Sequence, residues 1–251
     1  MPRATITSMC GRYTLVRLAD LSDLFPWITA DVPDSPPRYN IAPTQPVLAV
    51  ANNAPDRYDF FFWGLVPSWA KDTSVGSRMI NARGETLAER PAFRNAYKRR
   101  RCLIPVDGFY EWKKSADPKG KKTPMYVQMK SREPFAFAGL WETWTSPDGS
   151  PLRSCTIITT SPNKLMSTMH DRMPVILPRD KFDAWLHDGE RSPAELDPLL
   201  VPYGDEQMEA GPVSTLVNSP KNEGPGCVAP PDEEMPEKTE SAPPEEPKLF
   251  G

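Results

Sequence analysis

Short apolar runs of strand length, broken by turn signals, dominate the chain between residues 47 and 160. Runs rich in β-branched and aromatic residues predict strands over 47–51, 58–63, 102–106, 109–113, 125–129, 135–144 and 154–160. The breaks before and between them carry turn chemistry, as at Pro36-Pro37, Asn52-Asn53, residues 118–120 and Pro147-Asp148-Gly149. Helical spacing is rarer. Leu18, Leu21, Leu24 and Phe25 fall on a 3.6-residue period, as do Phe182, Trp185 and Leu186. Ser161-Pro162 reads as an N-cap followed by proline at the first helical position, opening a helix over 163–169. There is no repeat, no regular βαβ rhythm and no G-x-G-x-x-G. The pattern predicts an α+β fold, a curved and mainly antiparallel barrel-like sheet with short peripheral helices.

Composition sharpens this picture. Prolines number 31 in 251 residues, more than twice the average usage of about 5%, so helices stay short. The length suits one large domain with tails. No apolar run approaches the roughly 20 residues of a membrane helix. The net charge of −3 averages unlike parts. Residues 229–251 hold seven acids against Lys238 and Lys248, with six prolines, which predicts a disordered acidic tail and leaves the rest at +2. Cys10, Cys102, Cys155 and Cys227 form no C-x-x-C pair, and His170 and His187 are the only histidines. A reduced, metal-free, intracellular protein is expected, with Cys102 and Cys155 buried in apolar strands. Residues 1–9 lack the apolar stretch of a secretory signal.

Polar residues recur at a spacing of two in segments dense in Gly, Pro and Trp: Cys10 with Arg12, Asn81 with Arg83 and Glu85, Asp107 with Phe109 and Glu111, and His170 with Arg172. In extended backbone each set shares one face. Taken singly, a set reads as a solvent-facing edge. Together, a thiol, a histidine, a glutamate, an asparagine and several arginines suit covalent chemistry on an anionic ligand.

These segments also carry a resemblance. Met9-Cys10-Gly11-Arg12-Tyr13, Tyr39-Asn40-Ile41-Ala42-Pro43-Thr44, Trp63-Gly64-Leu65-Val66-Pro67-Ser68-Trp69 and Asn81-Ala82-Arg83-Gly84-Glu85-Thr86 resemble successive signatures of the SOS response-associated peptidase (SRAP) family. The likeness continues through residues 101–112, Gly139-Leu140-Trp141-Glu142, His170-Asp171-Arg172-Met173-Pro174 and Val217-Asn218-Ser219-Pro220, covering about residues 10–228 in order. It implies a domain over 10–228, with 1–9 a leader that is either a mis-assigned start upstream of Met9 or a segment removed autocatalytically.

The resemblance further implies that Cys10, once N-terminal, traps the aldehyde of an abasic site in single-stranded DNA as a Schiff base and then a thiazolidine. Lyase and autopeptidase activities are implied beside it. Glu111 would be the acid/base, His170 would polarise the sugar oxygen or stabilise the imine, and Asn40 would orient the Cys10 amine. Asn81 would bind the opened sugar, Arg12, Arg83 and Arg172 would meet phosphate, and Pro43 and Trp69 would stack on or wedge between bases. The basic runs 98–101, 113–114 and 119–122 would extend this groove. The expected protein is a cytoplasmic monomer, nucleoid-associated in a bacterium, that needs no cofactor. Two other readings compete: a cysteine peptidase using Cys10 and His170, and a non-covalent reader of modified bases.

Overall fold

Five strands close on themselves in the computed structural model, which describes residues 11–115, 117 and 119–231. In chain order the strands are β1 (Tyr13–Leu15), β2 (Arg38–Ile41), β3 (Pro46–Ala51), β4 (Ala54–Trp63), β5 (Asn81–Arg83), β6 (Arg101–Val106), β7 (Gly108–Lys113), β8 (Thr123–Met129), β9 (Phe135–Thr145), β10 (Pro151–Thr160), β11 (Met173–Pro174), β12 (Ile176–Leu177) and β13 (Met208–Pro212). The closed ring runs β10-β4-β3-β6-β9 and back to β10, with β5, β11 and β12 added at its margins. A second sheet, β13-β8-β7-β1-β2, is antiparallel throughout. The expected α+β fold with a barrel-like, mainly antiparallel sheet is what the chain forms.

The hub is β10. It pairs antiparallel with β9 from Pro151↔Thr145 to Ile157↔Gly139, and parallel with β4 at Ser154 and Cys155 and with β5 from Ile157 to Thr159. Flanked on all sides, it buries both faces, which explains why Cys155, Ile157 and Ile158 stand beside buried Ser154, Thr156 and Thr159 rather than alternating with exposed residues. The two sheets meet through aromatic rings. Tyr13 of β1 packs on Trp63 of β4 at 5.2 Å and edge-on to Phe137 of β9 at 6.1 Å, and Phe109 of β7 reaches the same Phe137 at 5.7 Å. Each fully buried ring contributes about 1.5–3 kcal/mol by desolvation.

All seven predicted strands are present, several longer by one to four residues at an end. The strands that pattern reading does not find are the short ones, β1, β2, β5, β11, β12 and β13, whose two to five residues carry too few alternations to signal a period. Helices are short, as the proline content requires: α1 (Leu21–Leu24), α2 (Arg94–Arg99), α3 (Lys164–Ser167), α4 (Phe182–Leu186) and α5 (Pro193–Leu196). Leu21, Leu24 and Phe25 are buried, and the Phe25 ring meets Phe182 of α4 at 5.6 Å. The expected cap at Ser161-Pro162 is corrected. Asn163 caps α3, its side-chain oxygen accepting from Met166 N–H at 2.9 Å, because an Asn carbonyl reaches an orphan N–H that a serine two residues earlier cannot. No helix among the described residues is long and apolar enough to cross a membrane. The leader 1–9 and most of the acidic segment, residues 232–251, lie outside the described residues; Ala229 lies inside them, its carbonyl accepting from Ser214 N–H at 2.9 Å.

Candidate functional site

Cys10 itself lies outside the described residues, but the strand it leads into is closely fixed. Tyr13↔Phe109 and Thr14↔Gly108 set the β1–β7 register, and the Tyr110 N–H donates to Arg12 C=O at 3.0 Å. Carried two pairs beyond Tyr13↔Phe109, the same register sets Gly11 opposite Glu111. Asp107 anchors the other end of β1: its carboxylate accepts from the Thr14 hydroxyl, from Val16 N–H at 2.5 Å and from Arg17 N–H at 2.8 Å. The Tyr126 hydroxyl lies 2.8 Å from Thr14 Oγ1. Only a glycine at 108 admits that ring, since a Cβ there would come within 2.2 Å of the Tyr126 hydroxyl.

Glu111 is 2% exposed and Asp107 5%, so neither faces water. A carboxyl at that depth in a strand is costly unless it is hydrogen-bonded or paired. A loop over 217–222 holds several polar groups of β2, β7 and the residue before β1 at once. The Arg12 guanidinium donates from Nη1 to Asn40 Oδ1 at 2.8 Å and to Val217 C=O at 2.7 Å, and burial lowers its pKa. Fully buried Asn40 donates to Ser219 C=O at 2.9 Å and Asn222 C=O at 2.8 Å. Trp112 Nε1–H donates to Asn218 Oδ1 at 2.7 Å. Asn40 therefore fixes Arg12 and the loop, a task the sequence pattern does not reveal. The Val217-Asn218-Ser219-Pro220 motif acquires a physical reason as the strap over β1, β2 and β7.

A second cluster forms at β5. The parallel pairing Ile157↔Asn81 and Thr159↔Arg83 lays Asn81 and Arg83 on one face, as their spacing predicts, whereas Glu85 falls in the turn that follows. Arg172 grips that turn through two ion-pair contacts to Glu85, 2.5 and 2.7 Å, and donates to Thr159 C=O at 2.7 Å. The guanidinium bond to Glu85 holds the carboxyl pKa below its usual range. His170 and Arg172 lie in a loop rather than a strand. His170 Nδ1 accepts from Arg172 N–H at 3.2 Å and lies 2.8 Å from Asp171 Oδ1, which ties the ring to its own loop.

Trp69, Asn81 and Arg83 line one cleft of about 390 Å³, together with Arg78, Arg90 and Phe93. Trp69 is 64% exposed, so its ring is not a core group. The loop that presents it turns at Gly64, where φ is +139° and a Cβ would lie 2.6 Å from Gly76 C=O, and is tied back where Trp144 Nε1–H donates to Ala70 C=O at 2.7 Å. Pro43 is half-buried beside Thr44, whose N–H donates to Trp63 C=O at 2.8 Å. Arg78 and Arg90 carry no sequence signal, being isolated arginines that only folding brings to Arg83. Cys102 and Cys155 are fully buried as expected, and burial raises both thiol pKa values. No group of three or more metal-ligating side chains occurs among the described residues.

One basic run is reassigned. Lys98 and Arg99 pair with Glu190, and Arg100 pairs with Glu142 at 2.7 Å. Arg101 is fully buried on backbone carbonyls. Arg100 and Arg101 are thereby engaged within the fold and do not extend an open groove, while Lys98 and Arg99 share one exposed carboxylate.

Comparison with known proteins follows the same outline. The "Abasic site processing protein YoqW" of Bacillus subtilis is 49% identical over 225 residues, 88% of this chain and 99% of that protein. The "Abasic site processing protein HMCES" of Xenopus tropicalis is 33% identical over 190 residues, 66% of this chain and 55% of its own. A crystal structure of a Bacteroides thetaiotaomicron protein superposes with a TM-score of 0.78 at 26% identity, covering 88% of this chain and 99% of that one. The model of the family described as SOS response associated peptidase (SRAP) matches residues 9–220. Fold, motif order and relatives agree, and the chain belongs to the SOS response associated peptidase family.

Proposed function

We propose that the protein processes abasic sites, capturing the lesion covalently in single-stranded DNA through Cys10 as the N-terminal residue. The observation that carries this reading is the β1–β7 register, whose continuation toward the N-terminus runs alongside a buried glutamate, Glu111. The names of the relatives support abasic sites as the substrate class.

The chemistry follows from the groups. An α-amine with a pKa near about 8 is far more often unprotonated at neutral pH than a lysine at about 10.4. Its nitrogen attacks the aldehyde carbon of the opened sugar, the carbinolamine loses water to give an imine, and the Cys10 sulfur adds to the imine carbon while its proton passes to nitrogen. The product is a five-membered thiazolidine, and one water is released. Ring closure gains from holding thiol and imine on adjacent carbons. Glu111 donates the proton that dehydration requires and recovers it at the next step. The Trp69 cleft receives the flanking strand, with Arg78, Arg83 and Arg90 against phosphate and the indole against a base.

The test is intact mass of the purified protein before and after an abasic single-stranded oligonucleotide. Expected are a chain beginning at Cys10 and a product heavier by the oligonucleotide less one water. A reactive chain that retains Met1 or Pro2 would overturn the mechanism.

A further inference from the structure

The cations just described divide into two kinds. Those of the run 98–101 are paired or buried, and the cleft arginines cluster at β5. A third group stands apart. Lys113, Lys114, Lys119, Lys121 and Lys122 lie at the β7–β8 turn, and all five are exposed. None has a carboxylate of the described residues within ion-pair distance; Lys71, Lys130, Lys164 and Lys221 lack one too, so what sets the five apart is their grouping in one turn. The single acid of the turn, Asp117, faces backbone, its Oδ1 accepting from Lys119 N–H at 2.9 Å.

Position gives this turn its interest. β7 and β8 pair as far as Lys113↔Thr123, two residues beyond Glu111↔Met125. At about 3.3 Å per residue, the first lysine follows Glu111 by about 7 Å along the strand. Trp112, between them, is fixed by Asn218, so the root of the turn is rigid relative to Arg12 and Asn40. A surface arranged for solubility alone mixes both signs. Five like charges and one backbone-bound acid instead form a local field of a single sign, extending from the site on a strand that the site itself stiffens.

We propose that the β7–β8 turn is a phosphate-binding arm, which grips the backbone of the single-stranded DNA flanking the captured residue through Lys113, Lys114, Lys119, Lys121 and Lys122. This rests on the single-stranded DNA reading above, and it adds a second anchoring surface separate from the Trp69 cleft. Its contribution is electrostatic and independent of sequence.

The experiment uses the full chain with all five lysines replaced by Gln, and a companion with all five replaced by Arg. Equilibrium binding to an intact oligonucleotide is measured across salt concentrations, and adduct formation separately at saturating abasic oligonucleotide. Each single-strand phosphate contact contributes roughly 0.7 to the slope of log K against log salt, so the Gln variant should lose about 2–3.5 of that slope. Its affinity near 0.1 M salt should fall by roughly 10²–10³-fold. The Arg variant should keep the slope, and both variants should match wild type in adduct rate at saturation and in Tm. If wild type binds DNA and the Gln variant keeps the full slope, the arm is refuted, and the acidic segment 232–251 becomes the better partner for these lysines. If wild type itself has no affinity for single-stranded DNA, the parent reading fails with it.

Discussion

Arg101 provides a quantitative test of how charge is used in this fold. Its five N–H groups all have acceptors: Nε donates to Trp185 C=O at 2.9 Å, Nη1 to Tyr97 C=O at 3.2 Å and Lys98 C=O at 2.5 Å, and Nη2 to His187 C=O at 2.6 Å and Gly189 C=O at 3.3 Å. Burial, with a smaller push from Arg191, brings the guanidinium pKa down to about 10, so it remains charged at neutral pH. Substituting Arg101→Lys keeps the charge but offers three donors on one atom. At least two carbonyls then lose their partner, at about 1–3 kcal/mol each. The expected loss is about 2–6 kcal/mol, a large share of the 5–15 kcal/mol typical of a domain. Urea unfolding should show a lower midpoint at unchanged m. The exposed Arg132, paired with Glu209, is the control, and Arg132→Lys should change stability by under about 0.5 kcal/mol. An Arg101→Lys variant as stable as that control would mean that the carbonyl cage contributes little. If its stability held while DNA affinity fell, Arg101 would return to the groove.

Three further outcomes bear on the site. Glu111→Gln should leave binding to intact single-stranded DNA nearly unchanged while slowing crosslinking by roughly 10²–10⁴-fold, with exposed Glu133 replaced in parallel to no effect; equal wild-type rates from both would move the acid/base role to His170 or water. Cys10→Ser should abolish the stable thiazolidine yet leave a borohydride-trappable imine, and an undiminished heat-stable adduct would place the nucleophile elsewhere. Removal of residues 232–251, which carry seven acids and two lysines, should leave crosslinking intact or slightly faster, since DNA is also anionic; a large loss with Tm retained would contradict this.

The long strands were legible because burial on one or both faces writes a run of Val, Ile, Phe and Trp into the sequence, as at 135–144. β5 was not, because Asn81–Arg83 is a strand only by virtue of β10 beside it. Asp107 and Glu111 were legible from their spacing of two, and Asn40 and Trp69 only through the family resemblance, but the partners of none of them were. Nothing local in Asn40 announces carbonyls at Ser219 and Asn222. The basic run 98–101 shows the converse. Four successive cations look alike in one dimension, and only the Glu142, Glu190 and carbonyl partners contributed by distant segments distinguish them from the lysines at 113–122.

The strap over 217–222 also has a consequence in time. Arg12 donates a hydrogen bond to a carbonyl 205 residues later in the chain. At the 5–20 residues per second of ribosomal synthesis, roughly 10–40 s pass between the emergence of these two partners. Throughout that interval Arg12 and Asn40 lack the carbonyls that later fix them. Immobilisation of the strand that opens the domain thus belongs to the completed fold and not to its early synthesis.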